Sequence, residues 1–555
     1  MLGKIGKVID TDILVIGGGA GGLWAALSAR RHLPSGQVTL VDAHMVGRSG
    51  HTAFSNAWMV VVTPDDDLEA CLRDIIEGNE WIADQELVRE VLALSYDQLL
   101  EVEKIGLEFP KENGKFVRRP TRGLRVTQVL KPVGGGLEFC WVLRKALEKE
   151  RIQIVERVFI TDLLKDEEGK ISGAVGVDGR SGEFTIFRAR STVVATNSVT
   201  FRAGFVRDLT GTGPVLAYRA GATLTNAEFG YLRPGTPRFY FEGITFAIQD
   251  GAKFINAQGE PFMEKYEPDW ADWADVQMIS KAMVMEKKAG KAPIYLDMSL
   301  MPEEKRGDYL RSSVAWMDYF YKKLGGQPRI DMFGKTEYYP FYQMTKMAIK
   351  TDSECRSSVP GLFAAGLAQA SCATHFAGFH IGACNGTGWI AGRSASGFAQ
   401  EVGHVGVNEK YVQSLKANIG KSFSAREEMK DDDLLLDLQK LIFRYDVSIL
   451  KSAERLAAAL HHLRVIKEKC RTMKAPHVHG FVRLKEGECM IETAEMIFEA
   501  SRLRQESRLS HIREDYPKRD DARWLKWVLI REENGHPHLW TEPIPTPLVP
   551  LETGR

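Results

Sequence analysis

Asp12-Ile13-Leu14-Val15-Ile16 is a short, β-branched apolar run, and Gly17-Gly18-Gly19-Ala20-Gly21-Gly22 follows it without a spacer. Leu23 to Arg31 is rich in Ala and Leu, and a second apolar strand, Val38-Thr39-Leu40-Val41, ends at Asp42. This is a complete βαβ unit with a G-x-G-x-x-G turn at its first junction, the context in which that spacing signals dinucleotide binding. Gly17 permits the tight turn, Gly19 lets backbone approach a pyrophosphate, and Gly22 lets helix and sheet pack closely. The helix start offers unpaired N–H groups to the phosphates. Asp42 stands where a ribose hydroxyl needs an acceptor. The fingerprint by itself does not separate FAD from NAD.

Further strands are expected between 154 and 177 and at Thr192-Val193-Val194-Ala195-Thr196, and Pro360-Gly361-Leu362-Phe363-Ala364-Ala365-Gly366 resumes the nucleotide fold. Between about 223 and 342 the chain is rich in aromatics, Pro and Met and loses the βαβ rhythm, which marks an inserted substrate domain. Beyond Asp431, Leu434, Leu435, Leu438, Leu441 and Ile442 recur at helical spacing, as do Leu456, Leu460, Leu463 and Ile466. Pro543, Pro545, Pro547 and Pro550 suggest an extended C-terminal tail.

Lys+Arg and Asp+Glu balance at 73 each, which excludes a global pull toward nucleic acid or an anionic membrane. No stretch approaches the roughly 18–20 apolar residues of a membrane span, and the N-terminus lacks a signal-peptide pattern; a cytoplasmic protein is expected. The seven cysteines (Cys71, Cys140, Cys355, Cys372, Cys384, Cys470, Cys489) form no CxxC pair. They read as buried reduced thiols, with no iron–sulfur cluster or other metal site on this chain.

The glycine turn, Arg48-Ser49-Gly50-His51-Thr52, Gly211-Thr212-Gly213, Gly221-Ala222, Glu228-Phe229 and 361–366 occur in the order found in flavoproteins of the fumarate reductase/succinate dehydrogenase class. Arg504 to Pro517 closely resembles the ESRGxHxREDYP hallmark of its complex-forming branch, which includes adenylylsulfate reductase, with Leu509 in place of the glycine. The resemblance spans nearly the whole chain. It implies an α/β fold: a Rossmann-like FAD-binding domain (1–222 and 343–405), an inserted α+β capping domain (223–342), a helical domain (406–515) and a tail (516–555). It implies FAD held by Gly17, Gly19, Ala20, Gly21, Gly22, Asp42, Ala43, Arg48, Ser49, His51, Thr52, Ala195, Thr196, Asn197, Gly213, Gly366 and Asn385. It also implies a small-molecule substrate and a ferredoxin-like iron–sulfur subunit, assembled as an oligomer of heterodimers. The family's covalent histidine sits in RSHT; the extra Gly50 here favours His51 as a polar lining residue over covalent attachment.

The substrate pattern departs from the family. Arg233, in Leu232-Arg233-Pro234-Gly235-Thr236, replaces one histidine, Gln343 replaces another, and Val276 stands in a catalytic arginine's place. In Thr374-His375-Phe376-Ala377-Gly378-Phe379-His380 the leading histidine is kept and His380 falls within one position of the family's second arginine. Fumarate turnover by the usual relay is therefore not expected. His375 and His380 are the candidate proton donors, and Arg233, whose planar fork bonds two oxygens at once, is the candidate anion clamp. The aromatics around them (Phe239, Tyr240, Phe241, Phe376, Phe379) suit a small, partly apolar substrate with one anionic group. The Arg502, Arg504, Arg508 and Arg513 series reads as a solvated helix face or a dock for an acidic partner. The leading expectation is a flavin-containing catalytic subunit of an oxidoreductase. The dismantled positions Val276 and Gln343 motivate an alternative, a non-catalytic electron-relay module.

Overall fold

The computed structural model describes residues 2–203, 206–237, 244–306, 309, 333–372, 379–403, 406–423 and 431–551. They form two compact units: Met1–Gly230 with Met344–Val447 and Lys451–Arg555, and Tyr231–Gln343 with Ser448–Leu450.

The first unit is built on a parallel sheet of β1 (Ile13–Ile16), β2 (Val38–Asp42), β3 (Gln153–Glu156), β4 (Ser191–Val194) and β5 (Leu362–Ala364), ordered β5-β4-β1-β2-β3. Every residue of β1 and β4 is buried. A sheet covered on both faces needs apolar side chains pointing both ways, which is why these strands read as unbroken apolar runs. Helix α1 (Ala20–His32) packs against α2 (Phe379–Glu401) almost backbone to backbone. A Cβ on Gly388 would stand 2.5 Å from the Gly21 carbonyl oxygen, and one on Gly392, a turn later, would overlap that of Ala25. A four-stranded sheet, Lys7–Asp10, Phe184–Arg188, Ile171–Asp178 and Val158–Lys165 in that order, completes this part.

The second unit carries its own sheet, ordered Gly230–Gly235, Lys335–Thr345, Ile294–Asp297, Lys253–Ile255. Its core gathers Phe254, Ile279, Met283, Leu296 and Tyr338.

In the C-terminal part, helices α3 (Ala453–Thr472) and α4 (Val478–Leu503) bury the expected Leu456, Leu460, Leu463 and Ile466. The expected extended tail is corrected: strands β6 (Lys526–Glu533) and β7 (His536–Pro543) form an antiparallel hairpin. β6 pairs with Leu224–Thr225 and buries Val528 and Ile530. The turn is Asn534-Gly535, both residues at positive φ, the pair that a two-residue hairpin favours.

The arginine series is also corrected. Only Arg502 is exposed, while Arg504, Arg508 and Arg513 are at most 1% exposed. Arg504 donates to Glu228 at 2.8 Å and to Glu506 at 2.7 Å, and Arg508 grips both oxygens of Glu506 and reaches Asp521 at 2.6 Å. Arg513 holds Asp515 through two 2.7 Å bonds. Burying such ions is costly unless each is paired, and here every carboxylate meets a guanidinium. Leu509 occupies the left-handed region at φ 48°, where the hallmark has glycine. Its buried side chain, packed with Phe229, Trp527 and Leu529, offsets the roughly 1–2 kcal/mol of backbone strain.

Lys451 lies in this network, its Nζ 2.7 Å from the Glu228 carbonyl oxygen, 3.1 Å from Ser501 Oγ and 3.2 Å from His511 Nδ1. Burial pulls the Lys451 ammonium down to about 7, with Glu228 opposing and Arg513 assisting. The unfolded chain, with lysine near 10.5, binds this proton where the folded chain does not, so the group's stabilising contribution is present above 10.5 and falls as pH drops to about 7. The melting temperature of wild type should therefore rise from pH 7 to pH 10 relative to that of Lys451→Met. Parallel curves over that window would contradict this.

Candidate functional site

Three strand ends are held level by single hydrogen bonds: Gly17 N to Val41 O (2.8 Å), Ala195 N to Ile16 O (2.8 Å) and Ala365 N to Val194 O (2.9 Å). Gly17 turns the chain at φ 117°, a conformation L side chains rarely adopt, and a Cβ there would lie 2.5 Å from the Ala195 carbonyl oxygen and 2.8 Å from Thr196 N. A Cβ on Gly22 would overlap the Gly17 carbonyl. These two positions are glycine because protein fills the space.

Gly19 differs. The nearest heavy atom to a Cβ there is Thr52 Oγ1, at an ordinary 3.6 Å. Protein packing does not require glycine at this position, whereas close approach of a ligand to the backbone does. Gly19, at the N-cap of α1, supplies no side-chain cap, so the first-turn amides of Gly21 and Gly22 point out of the positive end of the helix while that of Ala20 reaches a neighbouring hydroxyl. Thr52 Oγ1 is 3.4 Å from Ala20 N. Two buried polar atoms, Thr196 Oγ1 and Asn385 Oδ1, have no hydrogen-bond partner among the described residues. An uncapped helix start, an open face at Gly19 and these two polar atoms fit the phosphates and polar edges of a dinucleotide.

Asp42 closes β2 with Oδ2 accepting from Gly18 N and Oδ1 from His44 N, both at 2.6 Å. Burial raises its carboxyl above the usual range, against those two amides, and Asp208 raises it further. Each oxygen keeps a second lone pair for a ribose hydroxyl. The fold brings further expected residues to this turn. Gly21 approaches Gly366, whose N–H donates to Thr387 Oγ1, and a Cβ on Gly213 would overlap Thr196 Oγ1. Asn197 Oδ1 accepts from Ser198 N, and Ala43 lies just beyond β2.

Arg48 stacks its guanidinium 4.8 Å from the Trp141 ring centroid, and Ser49 Oγ donates to Met45 O. His51 lies in the short helix Gly50–Phe54, whose Gly50 N–H donates to Asp208.

Among the candidate catalytic residues, Arg233 is buried in the second unit with Nη1 3.3 Å from Gln343 Oε1. His380 sits on the first turn of α2. His375, Phe376, Arg238, Phe239, Tyr240 and Phe241 lie outside the described residues. All seven cysteines are buried, and no disulfide joins them among the described residues. Sequence reasoning missed Lys346, a buried lysine whose Nζ is 2.7 Å from His380 Nε2. Its signal was a lone charge in the run 344–349.

Residues 12–386 match the family described as FAD binding domain, and residues 436–554 match that described as fumarate reductase flavoprotein C-term. One subunit of the fumarate reductase (CoM/CoB) of Methanothermobacter marburgensis is 26% identical over 565 residues, covering 95% of this chain and 98% of that protein. The flavoprotein subunit of the mitochondrial succinate dehydrogenase of Oryza sativa is also 26% identical, covering 96% and 90%. Among solved structures, an E. coli quinol fumarate reductase chain superposes with a TM-score of 0.88 at 21% identity, covering 98% of this chain and 99% of that one. The adenylylsulfate reductase of Archaeoglobus fulgidus does so with a TM-score of 0.81 at 23% identity, covering 98% and 97%. No helix among the described residues is long and apolar enough to cross a membrane.

Gly19→Val should leave the fold intact, since its neighbourhood is open, yet lose most bound FAD, read as the ratio of visible to ultraviolet absorbance. Stoichiometric flavin in a folded Gly19→Val protein would refute the placement.

Proposed function

Because the chain belongs to the FAD-binding flavoproteins of the fumarate reductase and succinate dehydrogenase family and is an FAD-dependent oxidoreductase, we propose that it exchanges two electrons with a small, partly apolar, singly anionic substrate. A separate ferredoxin-like iron–sulfur subunit would take or return them. Support for such a partner is that the relatives are named as subunits and that this chain's scattered cysteines offer no cluster spacing.

When bound, FAD supplies the two-electron chemistry, and the protein supplies position, charge and protons. The first-turn amides of α1 and the open Gly19 backbone would hold the pyrophosphate, and Asp42 the ribose. In the second unit Arg233 would clamp the substrate's anionic group. The observation that carries this reading is the Arg233–Gln343 contact, which puts one buried cation beside a neutral amide where the family has histidines. With Val276 buried as well, this region supports one carboxylate or oxyanion better than the two of fumarate. His380, and His375 by its place in the sequence, are the proposed proton donors.

A stopped-flow screen of the chemically reduced holoprotein tests this. Fumarate should not reoxidise the flavin at ordinary enzyme rates of about 1–1000 per second, while one singly charged small anion should do so saturably. For that anion, Arg233→Ala should raise the half-saturating concentration roughly tenfold or more and leave the limiting rate within a few-fold. Rapid fumarate-dependent reoxidation would overturn the single-anion reading. Electron exchange with iron–sulfur proteins but no small molecule would favour the relay module.

A further inference from the structure

Lys346 is only 5% exposed. Its backbone N–H donates to Phe229 O, Thr345 N–H donates to Val199 O, and the Ser198 hydroxyl donates to Thr345 O. These bonds tie Lys346 to the segment that leaves β4 through Ala195, Thr196 and Asn197. His380 stands on α2, one turn before Cys384, whose Sγ is 3.4 Å from where a Cβ on Gly366 would sit. The Lys346–His380 contact therefore lies on the side of the sheet where β4 and β5 deliver the candidate FAD residues.

An N···N separation of 2.7 Å holds one hydrogen, with one nitrogen donating and the other accepting. An ammonium has no acceptor, and an imidazolium has none either. A doubly protonated pair would set two N–H groups head to head and two like charges in contact. One nitrogen of the two must therefore be unprotonated.

We propose that Lys346 and His380 share one proton, so that Lys346 is a positioning residue that holds His380 as a neutral imidazole with its hydrogen on Nδ1, the form in which it would serve as a proton donor. The proton count closes. Nδ1–H leaves to the acceptor as a proton moves from Lys346 Nζ to His380 Nε2, and the pair resets when Nδ1 takes a proton from water and Nε2 returns its proton to Nζ; no electron moves in this relay. The inference rests on the proposed use of His380 as proton donor. His380 and Cys384 are among the titratable groups that face Lys346. Burial pushes the Cys384 thiol up to about 12, so it stays neutral throughout.

The test is nitrogen-15 NMR of histidine-labelled holoprotein, with the His380 signals assigned by their loss in His380→Gln. Wild type should show His380 as one neutral Nδ1–H tautomer from pH 6 to 8.5, with no midpoint in that range. Lys346→Met should restore titration with a midpoint near the ordinary value of about 6.5. Lys346→Gln, which keeps a donor without the charge, should titrate likewise, and retained FAD in either variant shows that it is folded. A wild-type midpoint near 6.5, an Nε2–H tautomer, or a His380 that stays untitrated in both folded variants would overturn the proposal. The tautomer is read without turnover, so failure of the substrate reading in the stopped-flow screen is a separate result.

Discussion

The approach of Gly22 to the Gly17 carbonyl sets the geometry from which the nucleotide unit is built. With no Cβ between them, the chain leaves β1 and enters α1 without climbing away from the sheet. The helix can then aim its uncapped amides at the ends of β1, β4 and β5. The same closeness is repeated one layer out, where Gly388 and Gly392 let α2 lie on α1. That brings Thr387 to Gly366 and places His380 and Cys384 on the same side of the sheet. Gly17, Gly21, Gly22, Gly213 and Gly366 are thus positioned by close contacts that only small residues permit.

A second constraint closes the C-terminal part. The 504–521 segment contains no long helix or strand, so side-chain ion pairs take the place of a backbone ladder. Glu506 bridges Arg504 and Arg508, and Arg504 carries the network to Glu228, next to Phe229. Lys346 donates its backbone N–H to that same Phe229. Charges that resemble a docking face in the sequence are thus consumed inside the first unit. Removing one partner would strand a buried charge, a change that usually costs about 3–5 kcal/mol.

The parts most legible in sequence were those governed by local periodicity and steric need. Ile13–Ile16 had to be a doubly covered strand, and Gly17 and Gly22 had to be glycine; both follow from short-range rules, and the family resemblance begins from the same glycine turn. The parts that were not legible depend on pairings between distant segments. Arg504 finds Glu228 across 276 residues of chain and Lys346 finds His380 across 34, and no spacing rule ranks such pairs. The hairpin at Asn534-Gly535 had a local signal, but the prolines from 543 to 550 suggested an extended tail and masked it. Lys346 was overlooked for a similar reason. A single lysine in an apolar run looks like a strand end until burial and a 2.7 Å neighbour give it a role.

The most direct measurement of the central claim is equilibrium binding of flavins to the deflavinated protein. A site built from an uncapped helix start, an open Gly19 backbone and the Asp42 carboxylate grips the ADP half of the cofactor. It should bind about one FAD per chain, ADP should compete for it, and FMN, which lacks that half, should not bind at comparable concentrations. FMN binding as tightly as FAD, or FAD binding indifferent to excess ADP, would contradict it.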